Sequence, residues 1–206
     1  GYYKALRTDG TNTEYDALTA GVNAFNSNGF GIGGVATPIN SSNENYVSWT
    51  FRKCPGFFDI VTYSGQNNGG TYDTWITIPH NLGSTPGCVM IKCTSNAESW
   101  VVWHRSQPTK EGNLNSNAAF NSSNYTGTFG HANGAADANN IYVRAGQFKA
   151  GYQGFTYVAY VFAHDDQSFG SSTSESIIKC GSYTGAASGT ATSIDLGWEP
   201  QWIMVK

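Results

Sequence analysis

Apolar and polar residues alternate along this chain in short blocks of strand length. Ile60–Tyr63, Trp75–Ile78, Cys88–Cys93, Trp100–His104 and Thr156–Ala163 are rich in β-branched and aromatic residues. Such residues suit a pleated, half-buried surface. In the last block Tyr157, Ala159, Val161 and Ala163 share one face, and Val158, Tyr160 and Phe162 share the other. Both faces are apolar, which predicts a central strand covered on both sides. The stretch Pro79–Gly87 is a turn-rich corner whose prolines and glycines stop it from continuing either neighbouring strand. Only Thr13–Phe25, with Tyr15, Leu18, Val22 and Phe25, has helical spacing and predicts a short helix.

The pattern repeats. ITIPHNLGSTPGCVMIK at 76–92 matches TSIDLGWEPQWIMVK at 192–206 when Leu82 is set on Leu196. Gly83 then falls on Gly197, Pro86 on Pro200, Met90 on Met204 and Lys92 on Lys206. Tyr63-Ser64-Gly65 matches Tyr183-Thr184-Gly185, and Tyr46–Phe51 (YVSWTF) matches Tyr157–Phe162 (YVAYVF). The period is roughly 111 to 120 residues, long enough for a whole domain. One division makes 1–53 the late part of a unit, 54–169 a complete unit and 170–206 the early part of another. A different phase gives 1–106 and 107–206. The two divisions are equally compatible with the pattern.

Composition narrows the class. The chain has 206 residues, with 25 Gly, 40 Ser plus Thr and 19 Asn, and only 12% charged residues. Strong helix formers are scarce and turn formers abundant. The expectation is an all-β chain of antiparallel sandwich or jelly-roll-like modules in tandem, with little helix. Eleven Lys plus Arg against fourteen Asp plus Glu supply no basic stripe for nucleic acid. An aromatic content of 14% argues against a chain kept disordered by charge. No apolar run reaches membrane-spanning length, and no signal-peptide pattern is visible.

Candidate chemistry is sparse. Gly29-Phe30-Gly31-Ile32-Gly33-Gly34 satisfies the dinucleotide pattern formally, but Pro38 follows too soon for the helix that pattern needs. It reads as a glycine-rich β-turn. His80, His104, His131 and His164 have no metal-ligand spacing, and His80 falls on Ile194 in the repeat. Asp165-Asp166 offers too few oxygens for calcium by itself. Cys54, Cys88, Cys93 and Cys180 match no zinc or redox motif. They read as buried small hydrophobes or as a disulfide between distant members. Cys88 and Cys93 point to opposite faces of one strand and cannot readily bridge each other. Cys88 falls on Trp202 and Cys180 on Ile60, which favours core packing. No nucleophile elbow is present. Among the tryptophans, Tyr160 at the counterpart of Trp49 favours a core place for Trp49. Trp75, beside a Gly/Asn loop, and Trp198, in the second corner, are the candidates for stacking against a sugar. No cofactor or metal is expected.

Several strings in order carry a resemblance: Phe58–Gly65 (FDIVTYSG), the corner Pro79–Gly87, Val89–Lys92 (VMIK), Ser99–His104 (SWVVWH), Asn28–Gly33 (NGFGIG) and Thr156–Tyr160 (TYVAY). Together they cover most of the chain and resemble an uncharacterised repeat module of tailed-phage virion proteins, often found beside concanavalin-like lectin domains. The three cysteines Cys54, Cys88 and Cys93 and the Asn/Ala-rich stretch 113–140 depart from that pattern. The resemblance implies no catalytic residue. It implies a virion setting, and with the composition the expectation is a non-enzymatic tail-fibre or spike module on the virion surface that contributes to host attachment. A homo-oligomer, a trimer in a fibre, and other virion proteins are the expected partners; the resemblance carries over no ligand, and a host-surface glycan is expected only through the exposed Trp75 and Trp198. Alternatives are a purely architectural capsid-surface protein, a polysaccharide-acting enzyme module and a bacterial adhesin carrying phage-like modules.

Overall fold

The computed structural model describes residues 4–17, 19, 21–34, 39–71, 74–122, 127–130 and 134–206. Every regular element among them is a strand, and the pairings between named strands are antiparallel, so the chain is all-β. The strands are β1 (Lys4–Ala5), β2 (Tyr15–Asp16), β3 (Val22–Asn26), β4 (Gly29–Ile32), β5 (Phe58–Ser64), β6 (Trp75–Pro79), β7 (Cys88–Cys93), β8 (Val101–His104), β9 (Lys110–Asn113), β10 (Asn121–Ser122), β11 (Asn140–Arg144) and β12 (Thr156–Phe162).

One six-stranded sheet organises the molecule, in the order β10-β9-β8-β7-β12-β5. As the two-faced apolar pattern predicts, β12 lies inside it, with Tyr160 opposite both Ile60 and Met90. One face of the sheet packs against the separate β11–β6 pair. Ile76, Ile78, Ile141 and Val143 from that pair join Val89, Ile91, Val101, Tyr157, Ala159 and Val161 in the main core. A second, smaller cluster lies on the other face, around Cys88, Met90, Trp100 and Val102, with Leu6, Phe120, Tyr160, Phe162 and Cys180 against it. Cys88 and Cys93 therefore do serve opposite faces.

The corner between β6 and β7 is pinned by a buried carboxylate. Asp59 accepts hydrogen bonds from the backbone N–H of Asn81 and of Ile60, both at 2.8 Å, and an ion pair from Lys53 at 2.8 Å. Leu82, fully buried, plugs the core beneath the turn. Gly83 takes φ +76°, a left-handed value that glycine adopts without strain.

The flanking segments behave differently. Residues 4–17 lie along the six-stranded sheet, where Lys92 Nζ donates to Thr11 O at 3.2 Å, Trp100 Nε1 to Arg7 O at 2.7 Å and Glu14 N to Thr94 O at 3.0 Å. The predicted helix over Thr13–Phe25 does not form; β2 and β3 occupy its described part, and Leu18 lies outside the described residues. The reason is the β3–β4 hairpin, in which Phe25 and Phe30 sit directly opposite each other and local pairing overrides the helical spacing. Trp49 is 65% exposed, contrary to the core place expected from Tyr160, because 46–51 lacks the flanking strands that cover β12. Trp202 is likewise exposed, although its counterpart Cys88 is buried.

Candidate functional site

The loop between β11 and β12 is held rigidly from below. Tyr157 is buried, and its hydroxyl donates to Phe148 O at 2.9 Å while accepting from Tyr152 N at 2.9 Å. The Tyr63 hydroxyl donates to Ala150 O at 2.7 Å, and the two tyrosine rings stack at 5.2 Å. Burial pushes the titration of both phenols well upward, so both remain protonated donors at neutral pH. Gly65 and Gly151 allow the loop to close tightly: a Cβ on Gly65 would meet Tyr152 O at 1.9 Å.

Above this clamp, two rings face water. Phe148 is 51% exposed and Tyr152 38% exposed; they stack at 4.2 Å with planes 14° apart, and Phe155 supports Tyr152 at 5.1 Å. Beside them Lys149 forms an ion pair with Glu111 at 3.7 Å and approaches Asn113 Oδ1 at 3.4 Å. A preorganised aromatic surface with polar neighbours can stack against the C–H face of a sugar ring while amide and ammonium groups reach its hydroxyls. Sequence reasoning missed this patch. Its signal is the run Gly146–Phe155, where three aromatics alternate with three glycines.

The tryptophans proposed from sequence sit elsewhere. Trp75 begins β6 opposite Arg144 of β11, whose guanidinium lies 5.0 Å from the ring centroid and covers one face. Trp198 is half-buried in the turn before Pro200.

His80, Asp137 and His164 are engaged in holding the fold. His80 is buried; its Nε2 lies 3.2 Å from Asp137 O and its Nδ1 accepts from Leu82 N at 3.2 Å. Burial lowers its pKa, outweighing the carbonyl and carboxylates nearby. Asp137 in turn caps the turn into β11, accepting from Asn139 N, Asn140 N and the Tyr142 hydroxyl at 2.8, 2.7 and 2.6 Å. His164 Nδ1 accepts from Cys180 N at 3.0 Å. His131 lies outside the described residues. Burial raises the Cys88 thiol far above its usual range and the Cys180 thiol to about 11, so neither holds much nucleophilic thiolate at neutral pH. The four cysteines are free thiols in this structure. Gly29–Ile32 of the glycine-rich string is strand β4, folded back on β3; 35–38 after it lie outside the described residues. Asp165 pairs with Lys179 at 3.8 Å. Among the described residues no three His, Cys, Asp or Glu side chains converge on one point.

These features define an all-β protein whose best-formed surface feature is an aromatic loop on a rigid sheet. A family model described as a domain of unknown function, DUF7483, matches residues 1–206, and the chain belongs to that family. No curated protein and no solved structure matches it.

Proposed function

We propose that the chain is a non-enzymatic structural module of a tailed-phage virion appendage, a tail fibre or spike, that contributes to host-surface attachment. In this reading the central unit, 54–169, is a sandwich-like module of a tandem array displayed on the particle, partnered by further copies and other virion proteins. The aromatic loop, rather than Trp75 or Trp198, contacts host-surface glycan. The observation that carries the reading is that the strings resembling virion modules fall on the scaffold itself. FDIVTYSG forms β5, VMIK lies in β7 and TYVAY in β12, while the exposed stacked pair Phe148–Tyr152 sits on a loop clamped by that scaffold. Many shallow contacts of this kind, repeated across a multimer, give avidity without a deep pocket. The shallow groove between β5 and β6 has Lys53 as its one charged lining residue, which suits no acid–base pair.

Two measurements test the proposal. Antibodies raised against the purified chain should decorate appendages of the phage particle in electron micrographs; labelling of the capsid shell alone would favour a purely architectural role there. The multimerised chain should bind host cells or a glycan array, with binding reduced at least tenfold by Phe148→Ala/Tyr152→Ala. Depolymerisation of host polysaccharide by the chain would overturn the non-enzymatic reading.

A further inference from the structure

The central unit brings its own ends together. Phe58 at the start of β5 is opposite Phe162 at the end of β12, and Ala163 N donates to Phe57 O at 2.9 Å. Gly56 lies directly against Asp166 and Ser168. The chain thus enters and leaves the unit at one point, and the two flanking segments start side by side. Those segments carry counterparts of two strands that pair in the central unit: 46–51 corresponds to β12, and 202–206 to β7. In the β12–β7 register Phe162 is opposite Cys88, Tyr160 opposite Met90 and Ala159 opposite Ile91. Transferred to the flanks, that register sets Phe51 opposite Trp202, Trp49 opposite Met204 and Ser48 opposite Val205.

The first of these pairs is already in contact. The Phe51 and Trp202 rings meet edge to face, with centroids 6.2 Å apart, and Phe51 also touches Phe57, Phe58 and Phe162. Beyond this contact both segments lie outside any strand, with Val47, Trp49, Ile203 and Val205 exposed. We infer that 46–51 and 202–206 of the same chain are partner strands, pairing antiparallel in the β12–β7 register to form a second sheet nucleated at Phe51–Trp202. The tether favours closure within one chain. Segments of one chain already in contact at Phe51–Trp202 meet at an effective concentration far above that of a second molecule in dilute solution. Pairing also covers apolar side chains and backbone that would otherwise be open to other chains. The inference rests on register and contact, and is independent of the virion reading.

The test is a register-specific crosslink in the full chain. Ser48→Cys with Val205→Cys places two thiols at directly opposed positions, where Cα atoms lie within disulfide reach. Mild oxidation should abolish both new thiols and give a 48–205 disulfide in monomeric protein, identified by peptide mapping. The control pair Val47→Cys with Val205→Cys is shifted by one residue, turns its side chains to opposite faces and should not bridge. A 48–205 bond found only between chains, a bond in the shifted control only, or no bond would overturn the inference. Amide hydrogen exchange gives a second readout on the unmodified protein. Both segments should exchange slowly, and Trp202→Ala should abolish protection in 46–51; fast exchange of both segments in the unmodified protein would also overturn it.

Discussion

Residues 88–93 and 202–206 are nearly the same words in two places. Val89-Met90-Ile91-Lys92 is the middle of the six-stranded sheet, flanked by β12 and β8, and every residue of β7 is buried. Ile203-Met204-Val205-Lys206 lies outside the six-stranded sheet, and every residue is exposed. The lysines show the contrast best. Lys92 is wholly buried, with Nζ donating to Cys93 O at 2.7 Å and to Thr11 O, and burial lowers its pKa. Lys206 reaches out from the surface to Ser116 O at 2.6 Å. The local turn before each segment is nonetheless the same: Gly83 has φ +76° and Gly197 φ +79°. Backbone conformation at the corner follows the residues present; burial follows the neighbours.

That contrast can be broken by paired substitutions. The largest difference is expected at Ile91 and Val205. Ile91→Ala removes a fully buried side chain from the main core and should cost about 2–5 kcal/mol. Val205→Ala should change stability by less than about 0.5 kcal/mol. Urea denaturation of both variants checks this, and equal losses would show that the second segment is as well packed as β7.

Next comes the glycine pair Gly65 and Gly185. A Cβ at Gly65 would collide with the Tyr152 carbonyl, whereas one at Gly185 meets nothing within 4 Å. Gly65→Ala should cost about 1–3 kcal/mol through overpacking against backbone. Gly185→Ala should be neutral or slightly stabilising, because it restricts the unfolded chain. Thermal melts of the two variants, compared side by side, decide the point.

Asp59→Ala sharpens the comparison at the corner. It leaves the N–H groups of Asn81 and Ile60 without their acceptor and should cost about 1–3 kcal/mol. The second corner has its own carboxylate: Asp195 accepts from Gly197 N at 2.8 Å, but in an exposed turn. Asp195→Ala should therefore cost only a few tenths of a kcal/mol, on the order of an exposed turn bond. A loss at Asp195 as large as that at Asp59 would contradict the picture of a solvated second corner.

The smallest effect concerns pH. Burial lowers the pKa values of His80, His104 and His164, so the unfolded chain binds more protons as pH falls through the ordinary histidine range near 6.5. Stability should fall by about 1 kcal/mol from pH 7.5 to 5.5. Asp59 adds a further loss below about pH 4. Burial raises its pKa, but Lys53 and the two N–H donors outweigh burial and hold the carboxyl below the usual carboxylate range. Its contribution is present above the unfolded value and disappears as pH drops through the lower folded one. Melting temperatures across pH 3–8 check both steps; a maximum below pH 5.5 would be inconsistent with neutral buried histidines.

Much of the six-stranded sheet and its partner pair was legible from local pattern. The two apolar faces of Thr156–Ala163 predict the inner strand β12, and the β-branched blocks predict β5, β6, β7 and β8 within a residue or two. Less was legible where residues are polar or small. Lys110–Asn113 forms β9 only because β8 offers an edge, and Asn140–Arg144 forms β11 by pairing with β6. The aromatic loop escaped notice for a related reason. Phe148, Tyr152 and Phe155 have no strand or helix period, and their exposure follows from a clamp made by Tyr63 and Tyr157, distant or late in the chain.

By itself the sequence determined the all-β class, the main strands, the turn-rich corner that stops them and the recurrence of one sequence pattern. These depend on near neighbours, on side-chain shape, φ freedom and period-two alternation. Only the tertiary structure decided which of two matching segments became core. Burial is a property of the strands on either side, and a tetrapeptide cannot carry its own neighbours.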